Sequence, residues 1–278
     1  MAGTLVMHEK GWLGHKESLL HSNEGPIWAI SWRGNLIAWA NDAGVKIYDT
    51  YSQQRISYIE RSQNSPRADL FKCTLYWQDD ISLIISWADH IRLARIKTRP
   101  AKLAIAPGAP PLTVEITAHF QVDCMVSGIV PYSNPLGSFL FLAYIPPDTF
   151  KNEATQDHAE QRRKAANRPE LRIVTRGGEE LSTDALGLNG YHLFGCNDYH
   201  IKTIVSEGKD PVYVVVSPKN IVLVRPRDAV DHVEWLVGHQ KYEEALAAVE
   251  KIGTGKGLDV AAIGRKYIEH LVSQGSSI

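Results

Sequence analysis

The sequence has few cysteines and none of the spacings that bind metal or form a disulfide framework. Its three cysteines, Cys73, Cys124 and Cys196, lie far apart and include no Cys-x-x-Cys pair. No cluster of cysteine and histidine has the spacing of a zinc site. We therefore predict no metal and no cofactor, and we expect a reduced, cytoplasmic compartment.

Long apolar runs and excess charge are missing too. No apolar run reaches the roughly 18 residues of a membrane-spanning helix, and residues 1–10 lack the apolar centre of a signal peptide. The 30 Lys and Arg residues almost balance the 31 Asp and Glu residues, so the net charge is −1. Because no overall field attracts nucleic acid or anionic lipid, we predict no nucleic-acid partner.

Motifs of catalysis are also absent. The segment Gly253 to Gly257 looks like a phosphate-binding loop, but Glu250 stands where that motif requires glycine, and no strand precedes it. The neighbours Asp198-Tyr199-His200 and Asp231-His232 are not beside a nucleophile motif. We predict that the protein is not an enzyme and has no catalytic residue. The sequence does not identify its protein-interaction residues.

The sequence does contain an internal repeat. The segment from Trp32 to Asn41 recurs loosely from Trp77 to Asp89. Each copy has a strand that ends in tryptophan, a polar turn, and an apolar strand that ends in Trp-Ala. The copies are about 45 residues apart, a spacing typical of the four-stranded blade of a β-propeller. A propeller is usually a platform for other macromolecules.

The pattern of apolar residues and turns extends this repeat to four blades. We expect the inner strands to be apolar on both faces, because blades stack face to face. We expect five tryptophans to lie mostly in the core: Trp28, Trp32, Trp39, Trp77 and Trp87. The predicted strands, blade by blade, are residues 27–32, 36–40, 45–49 and 55–59; 71–77, 82–87, 91–97 and 112–121; 124–130, 138–145 and 171–175; and 201–206, 212–216 and 221–225.

The predicted strands do not complete a ring. Residues 4–9 and 17–21 are expected to be the outer strands of an earlier blade, so we interpret the chain as a piece of a longer protein. An incomplete propeller leaves blade faces uncovered, and we expect self-association through them. Trp12, between two glycines, is the tryptophan that we expect to be exposed as a contact residue.

Two polar insertions interrupt the blades, at residues 99–111 and 147–169. Both are predicted to be loops. The second contains the basic residues Arg162, Arg163, Lys164 and Arg168, but no aromatic platform accompanies them, so we interpret it as solvated rather than as a nucleic-acid site. Neither insertion has the large apolar residues of a lipid-binding helix. We expect any membrane contact to be peripheral and indirect.

The apolar spacing changes after Pro226. Three helices are predicted, with Val230, Val233 and Val237 on one face of the first and Trp235 packing it against a neighbour. The faces of the second and third contain Tyr242, Ala245, Leu246 and Val249, and then Val260, Ile263, Tyr267 and Leu271. The predicted fold is therefore mainly β: a partial WD40-like β-propeller of about four blades plus a fragment (residues 1–226), followed by the start of an α-solenoid (residues 227–278).

Three segments of the first blade, Asn23 to Ile27, Ser31 to Asn41 and Gly44 to Asp49, closely resemble the vacuolar protein sorting-associated protein 41 family. This family is a subunit of the HOPS tethering complex. The resemblance extends from about Thr4 to about Gln274. Further matching segments are Cys73 to Trp77, Ser182 to Leu186, Asp198 to His200, Val214 to Asp228, Asp231 to Val237 and Lys241 to Leu246.

This resemblance implies a non-catalytic scaffold that acts in membrane tethering and fusion. It implies a peripheral location on the late endosome, lysosome or vacuole. The partners that it implies are other HOPS subunits, a late-endosomal or vacuolar Rab GTPase, and an adaptor complex of the lysosomal route. Two alternatives stay open: a coat or transport scaffold of the same architecture that binds no Rab, and a ligand-binding propeller with a polar funnel on its axis.

Overall fold

A computed structural model describes residues 3–12, 14–100, 108–133, 135–147, 166–205, 210–226, 229–252, 259–273 and 275. The chain divides into two compact units. One contains Met1–Ile204 with Tyr213–Val224, and the other contains Val205–Val212 with Arg225–Ile278. The described part of the first unit consists of antiparallel β-sheets, and that of the second contains three helices.

Neighbouring strands of each sheet follow one another in the chain, as in propeller blades. The first sheet has two strands, β1 (Leu5–Gly11) and β2 (Gly14–His21), and corresponds to the predicted fragment. Four further sheets, here called blades 1 to 4, follow in chain order. Their strands are β3 (Ile27–Arg33), β4 (Leu36–Asn41), β5 (Gly44–Asp49) and β6 (Gln54–Glu60); β7 (Thr74–Trp77), β8 (Ser82–Trp87), β9 (His90–Thr98) and β10 (Leu112–Gln121); β11 (Met125–Tyr132), β12 (Ser138–Tyr144), β13 (Glu170–Val174) and β14 (Glu180–Ala185); and β15 (His200–Ile204), β16 (Val212–Val216) and β17 (Ile221–Val224).

Adjacent sheets stack on one another through continuous apolar cores. One core joins blades 1 and 2, a second joins blades 2 and 3, and a third joins blades 3 and 4. A smaller core joins the two-stranded sheet to blade 1. Alternate residues of β4 therefore enter different cores: Ala38 faces blade 2, and Trp39 faces the two-stranded sheet. Every residue of β4 is buried because each of its faces has a neighbour.

The prediction that the inner strand of blade 1 is apolar and buried on both faces is wrong for β3. Ile30 is 53% exposed, and Trp32 is 60% exposed, so Trp32 is not a core residue. The reason is that Ala29 packs against the core shared with blade 2, whereas none of the apolar cores of the described residues includes Ile30 or Trp32. Trp39, Trp77 and Trp87 are buried as predicted.

The repeated tryptophan of blade 2 contacts blade 1 directly. The indole N–H of Trp77 donates a hydrogen bond to the Ser31 carbonyl at 3.2 Å. A second link joins the turns of the two blades, where Arg33 pairs with Asp80 at 2.8 Å. The two copies of the repeat are therefore in direct contact.

Two strand predictions need correction. Residues 71–73 do not belong to β7, because the amides of Leu70 and Phe71 turn back to the Arg67 carbonyl. Strand β14 was not predicted, since most of its residues are polar and all of them are exposed. It pairs antiparallel with β13, and Thr183 lies opposite Arg172. The boundaries of β10 and β16 agree with the sequence prediction.

The second unit contains α1 (Ala229–Gly238), α2 (Tyr242–Ile252) and α3 (Val260–Ser273). Their common core contains Val233 from α1, Val249 from α2 and Ile263 from α3, as the spacing predicted. Val260 is exposed, so its predicted place on the apolar face is wrong, and the core instead includes Leu236. None of the described helices is long and apolar enough to cross a membrane.

Candidate interaction surface

The inner strands of all four blades begin at the same end of the stack. The shared lining of one cavity shows this arrangement, because residues at or near the starts of β3, β7, β11 and β15 all contribute to it. These starting residues surround a cavity of about 390 Å³, here called the inner-end cavity. Its lining comprises Trp28, Ala29, Lys72, Cys73, Thr74, Leu75, Val126, Ser127, Asn197, Tyr199, His200 and Lys202.

Asn197 connects two sides of this cavity through the hydrogen bonds of its side chain. It lies in a short 3-10 helix, Cys196–Asp198, just before β15. Its Oδ1 atom accepts a hydrogen bond from the Lys72 amide at 2.9 Å, and its Nδ2 atom donates to the Asp69 carbonyl at 3.0 Å. Two segments separated by 125 residues in sequence are therefore held in contact.

Two residues of the cavity lining, Ser127 and Tyr199, form polar contacts away from solvent. The hydroxyl of Ser127 and the thiol of Cys196 are 3.3 Å apart and buried. The Tyr199 hydroxyl donates to the Tyr191 carbonyl at 3.2 Å. Burial raises the pKa of Tyr199 to about 12, with smaller contributions from Tyr144 and Asp198, so this hydroxyl stays a neutral donor.

The side chains that line the inner-end cavity are cationic or neutral. Lys72 and Lys202 bring two ammonium groups, His200 adds an imidazole, and the lining includes no carboxylate. Nearby acidic groups have other partners in the described structure. Asp42 accepts a hydrogen bond from the Trp28 indole at 2.7 Å, and Asp69 pairs with Arg67.

None of these cationic residues was predicted from the sequence to form a site. The structure places His200 at the start of an inner strand, with Lys72 and Lys202 in the same lining. No local motif could have marked Lys72 and Lys202, since their proximity depends on the stacking of blades.

The three cysteines are buried and unsuited to nucleophilic attack. Burial raises the pKa of the Cys124 thiol to about 12 and that of Cys196 to about 11, and it also raises the pKa of Cys73. A thiol reacts as its thiolate, so these side chains stay in the unreactive form near neutral pH. Within the described residues, no group of three or more His, Cys, Asp or Glu side chains could hold a metal ion.

The structure separates most of the other polar residues singled out in the sequence. The Asp198 carboxylate accepts a hydrogen bond from the Gly195 amide at 2.8 Å instead of facing His200. The Nδ1–H of His239 donates to the Trp235 carbonyl at 2.8 Å. Arg168 lies over the ring of Tyr191. The phosphate-loop resemblance at residues 253–257 and the basic residues 162–164 lie outside the described residues.

Trp12 is fully exposed next to the turn between β1 and β2, as the sequence predicted. Trp235 on α1 is 37% exposed, with its ring against that of His239 at a centroid distance of 4.2 Å. Trp12 is therefore available as a contact residue, whereas Trp235 takes part in packing at the end of α1.

One face of blade 4 is apolar and exposed. Val222 and Val224 of β17 pack on the core shared with blade 3. The alternate residues Ile221 and Leu223 are 72% and 62% exposed. Val216 lies opposite Ile221 in the register and is also exposed. We call Val216, Ile221 and Leu223 the open face.

Comparison with known proteins places this arrangement of sheets in a family. A family model named Beta-prop_Vps41, described as "Vps42 beta-propeller", matches residues 1–225. The chain belongs to the Vps41 β-propeller family. The predicted resemblance is therefore confirmed, and so is the mainly β fold with four propeller blades.

Relatives within the Vps41 family match almost the whole chain. The vacuolar protein sorting-associated protein 41 homologs of Solanum lycopersicum and Homo sapiens are each 38% identical to it, over 288 and 279 residues, and the matches cover 98% of this chain. The chain spans 30% of the length of each relative. A solved structure, the Cps50 (Swd1) β-propeller domain of Myceliophteria thermophila, is 13% identical with a TM-score of 0.47, over 79% of this chain and 61% of that one.

Proposed function

We propose that this chain is part of a non-catalytic scaffold in vacuolar protein sorting. Its finer role would be that of a HOPS-type tethering subunit at the late endosome, lysosome or vacuole. The observation that supports this proposal is the Vps41 family match over residues 1–225. The relatives named above also align beyond the blades, into the helices.

In this role the protein recognises partners through its surface. The proposed partners are other HOPS subunits, a late-endosomal or vacuolar Rab GTPase, and an adaptor complex of the lysosomal route. The blades of residues 1–226 would supply rigid docking surfaces, and residues 227–278 would begin an α-solenoid that serves as a spacer. Contact with the membrane would be peripheral and would pass through these partners.

Retention on an immobilised Rab GTPase tests the proposal. The full chain should be retained on the GTP-loaded Rab and not on the GDP-loaded form. A Trp12→Ser variant should bind more weakly if the exposed hairpin turn takes part, and Trp32→Ser is a matched control because Trp32 is also exposed. Equal retention on both nucleotide forms, or none on either, would contradict the Rab assignment and favour the coat-type alternative.

We further propose that the open face packs against a second copy of the chain. The other cores show how such a face is normally covered, since every blade-to-blade contact buries alternating apolar residues of two sheets. Light scattering should show a mass that rises with concentration. Leu223→Glu should remove this rise, while Leu70→Glu, at an exposed leucine in the segment before blade 2, should not. A single monomer mass at every concentration would contradict self-association.

A further inference from the structure

The inner-end cavity combines positive charge, a hydrogen-bonding wall and a fixed shape. We propose that it binds an acidic peptide segment, with glutamate or aspartate side chains entering between Lys72 and Lys202. This inference does not depend on the vacuolar sorting role, because it concerns only side chains of the four blades. Its test therefore uses no Rab GTPase and no HOPS subunit.

Uncompensated charge is the first argument. Neither Lys72 nor Lys202 forms an ion pair with any carboxylate in the described structure, although most other described acidic groups near the cavity already have partners. An opening lined by two lysines and by no carboxylate favours an anionic ligand. A carboxylate that enters between them gains attraction from both.

The hydrogen-bonding wall is the second argument. Thr74 and Asn197 contribute polar side chains to the lining. A few polar groups among apolar side chains are typical of a site that orients a ligand by hydrogen bonds. His200 provides a further polar atom at the opening, and the apolar side chains of Trp28 and Leu75 can pack against the methylene groups of a glutamate.

Shape is the third argument. The volume of about 390 Å³ holds a few side chains but not a folded domain. The double hydrogen bond of Asn197 sets the position of the Lys72 backbone before any ligand arrives. Such preorganisation lowers the entropy cost of binding. A short extended segment fits these dimensions better than a flat protein surface does.

Fluorescence anisotropy with labelled hexaglutamate tests the proposal on the full chain. Hexaglutamate should bind at low salt, its affinity should fall as salt is added, and hexaglutamine should not bind. Lys72→Glu and Lys202→Glu should each weaken hexaglutamate binding by about tenfold or more, because each replaces attraction by repulsion. Lys10→Glu is the matched control, since Lys10 is also exposed, lies in the same unit and has no ion pair in the described structure.

The outcomes separate clearly. Equal loss in Lys10→Glu and Lys72→Glu would show non-specific charge attraction and overturn the proposal. Equal binding of hexaglutamine, or binding only to phosphatidylserine vesicles, would overturn it as well. Thermal melting of every variant checks that the chain stays folded, and a Lys72→Gln variant, which removes charge without adding repulsion, should give an intermediate loss.

Discussion

Strands β5 and β17 occupy the same third position in their blades, yet they are buried very differently. β5 contains Lys46 and Asp49 and is buried at every residue. β17 consists entirely of valine, isoleucine and leucine, but alternate residues are exposed. The strand with the more polar sequence is thus the more buried one. Burial in this fold depends on whether a sheet has neighbours on both faces, and only secondarily on the hydropathy of the strand.

The buried lysine of β5 shows how a doubly covered strand accommodates a charge. Lys46 is almost completely enclosed and forms an ion pair with Glu24, which precedes β3. Its ammonium group also lies over the ring of Tyr58. An open strand would need no such partners, because water would solvate the charge.

The largest expected effect is on a residue buried between two sheets. Trp39→Ala should lower the free energy of unfolding by about 3–5 kcal/mol, since it empties the core between blade 1 and the two-stranded sheet. It also removes the donor that reaches Nδ1 of His21. Urea denaturation measures this loss. Trp32→Ala, at the exposed tryptophan of the same repeat, should cost less than about 1 kcal/mol; equal losses would contradict the difference in burial.

The next effect concerns the charge inside β5. Glu24→Gln should destabilise the protein by about 1–2 kcal/mol. The value is moderate because water reaches the Glu24 side chain and weakens its ion pair with Lys46. The hydrogen bond from Lys46 holds the pKa of Glu24 below its ordinary value of 4.5. Ionised Glu24 therefore stabilises the fold above pH 4.5, and this contribution disappears as the pH falls through the lowered pKa.

Melting temperatures at pH 7 and pH 3 check the pH dependence. The wild-type chain should lose more stability between these values than Glu24→Gln does. Glu17→Gln provides the control, because Glu17 is exposed and its contact is with the exposed His8. An identical acid response in wild type and Glu24→Gln would show that the Lys46 pair does not stabilise the native state.

A smaller effect is expected at the contact between successive repeats. Trp77→Phe removes the hydrogen bond to the Ser31 carbonyl and leaves part of the buried indole site unfilled, so it should cost about 1 kcal/mol or slightly more. The measurement is again urea denaturation. Trp32→Phe removes only a bond to the nearby Gly34 carbonyl within the same turn and should cost less. The reverse order would mean that blade-to-blade contacts add little stability.

The smallest effect is expected on the open face. Leu223→Ser replaces an exposed apolar side chain and should change the unfolding free energy of the monomer by less than about 0.5 kcal/mol at low concentration. Val222→Ser, on the buried face of the same strand, should cost several times more. A large loss at Leu223 would show that this residue is covered in the isolated chain.

Much of the β structure could be predicted from the sequence. The turn residues and apolar runs predicted β4, β8 and β10 within a residue or two. Strand β14 was missed because it is exposed and lacks an apolar pattern. The burial of Ile30 and Trp32 in β3 was wrongly predicted, because the residues of a strand do not by themselves show which of its faces a neighbouring sheet covers.

The inner-end cavity could not be predicted in the same way. Lys72 and Lys202 carry no local pattern that distinguishes them from other exposed lysines. They line one cavity because four inner strands begin at one end of the stack and because Asn197 joins two of its sides.

By itself, the sequence determined the repeated sheets, the change to helices after Pro226, and membership of the Vps41 family. Turns and the two-residue period of strands depend on residues that are close together in the sequence, so they can be recognised without coordinates. Only the tertiary structure decided which strand faces are covered and which lysines meet at the inner-end cavity. Those features depend on contacts between residues from about 45 to more than a hundred positions apart, which the stacking of the blades creates.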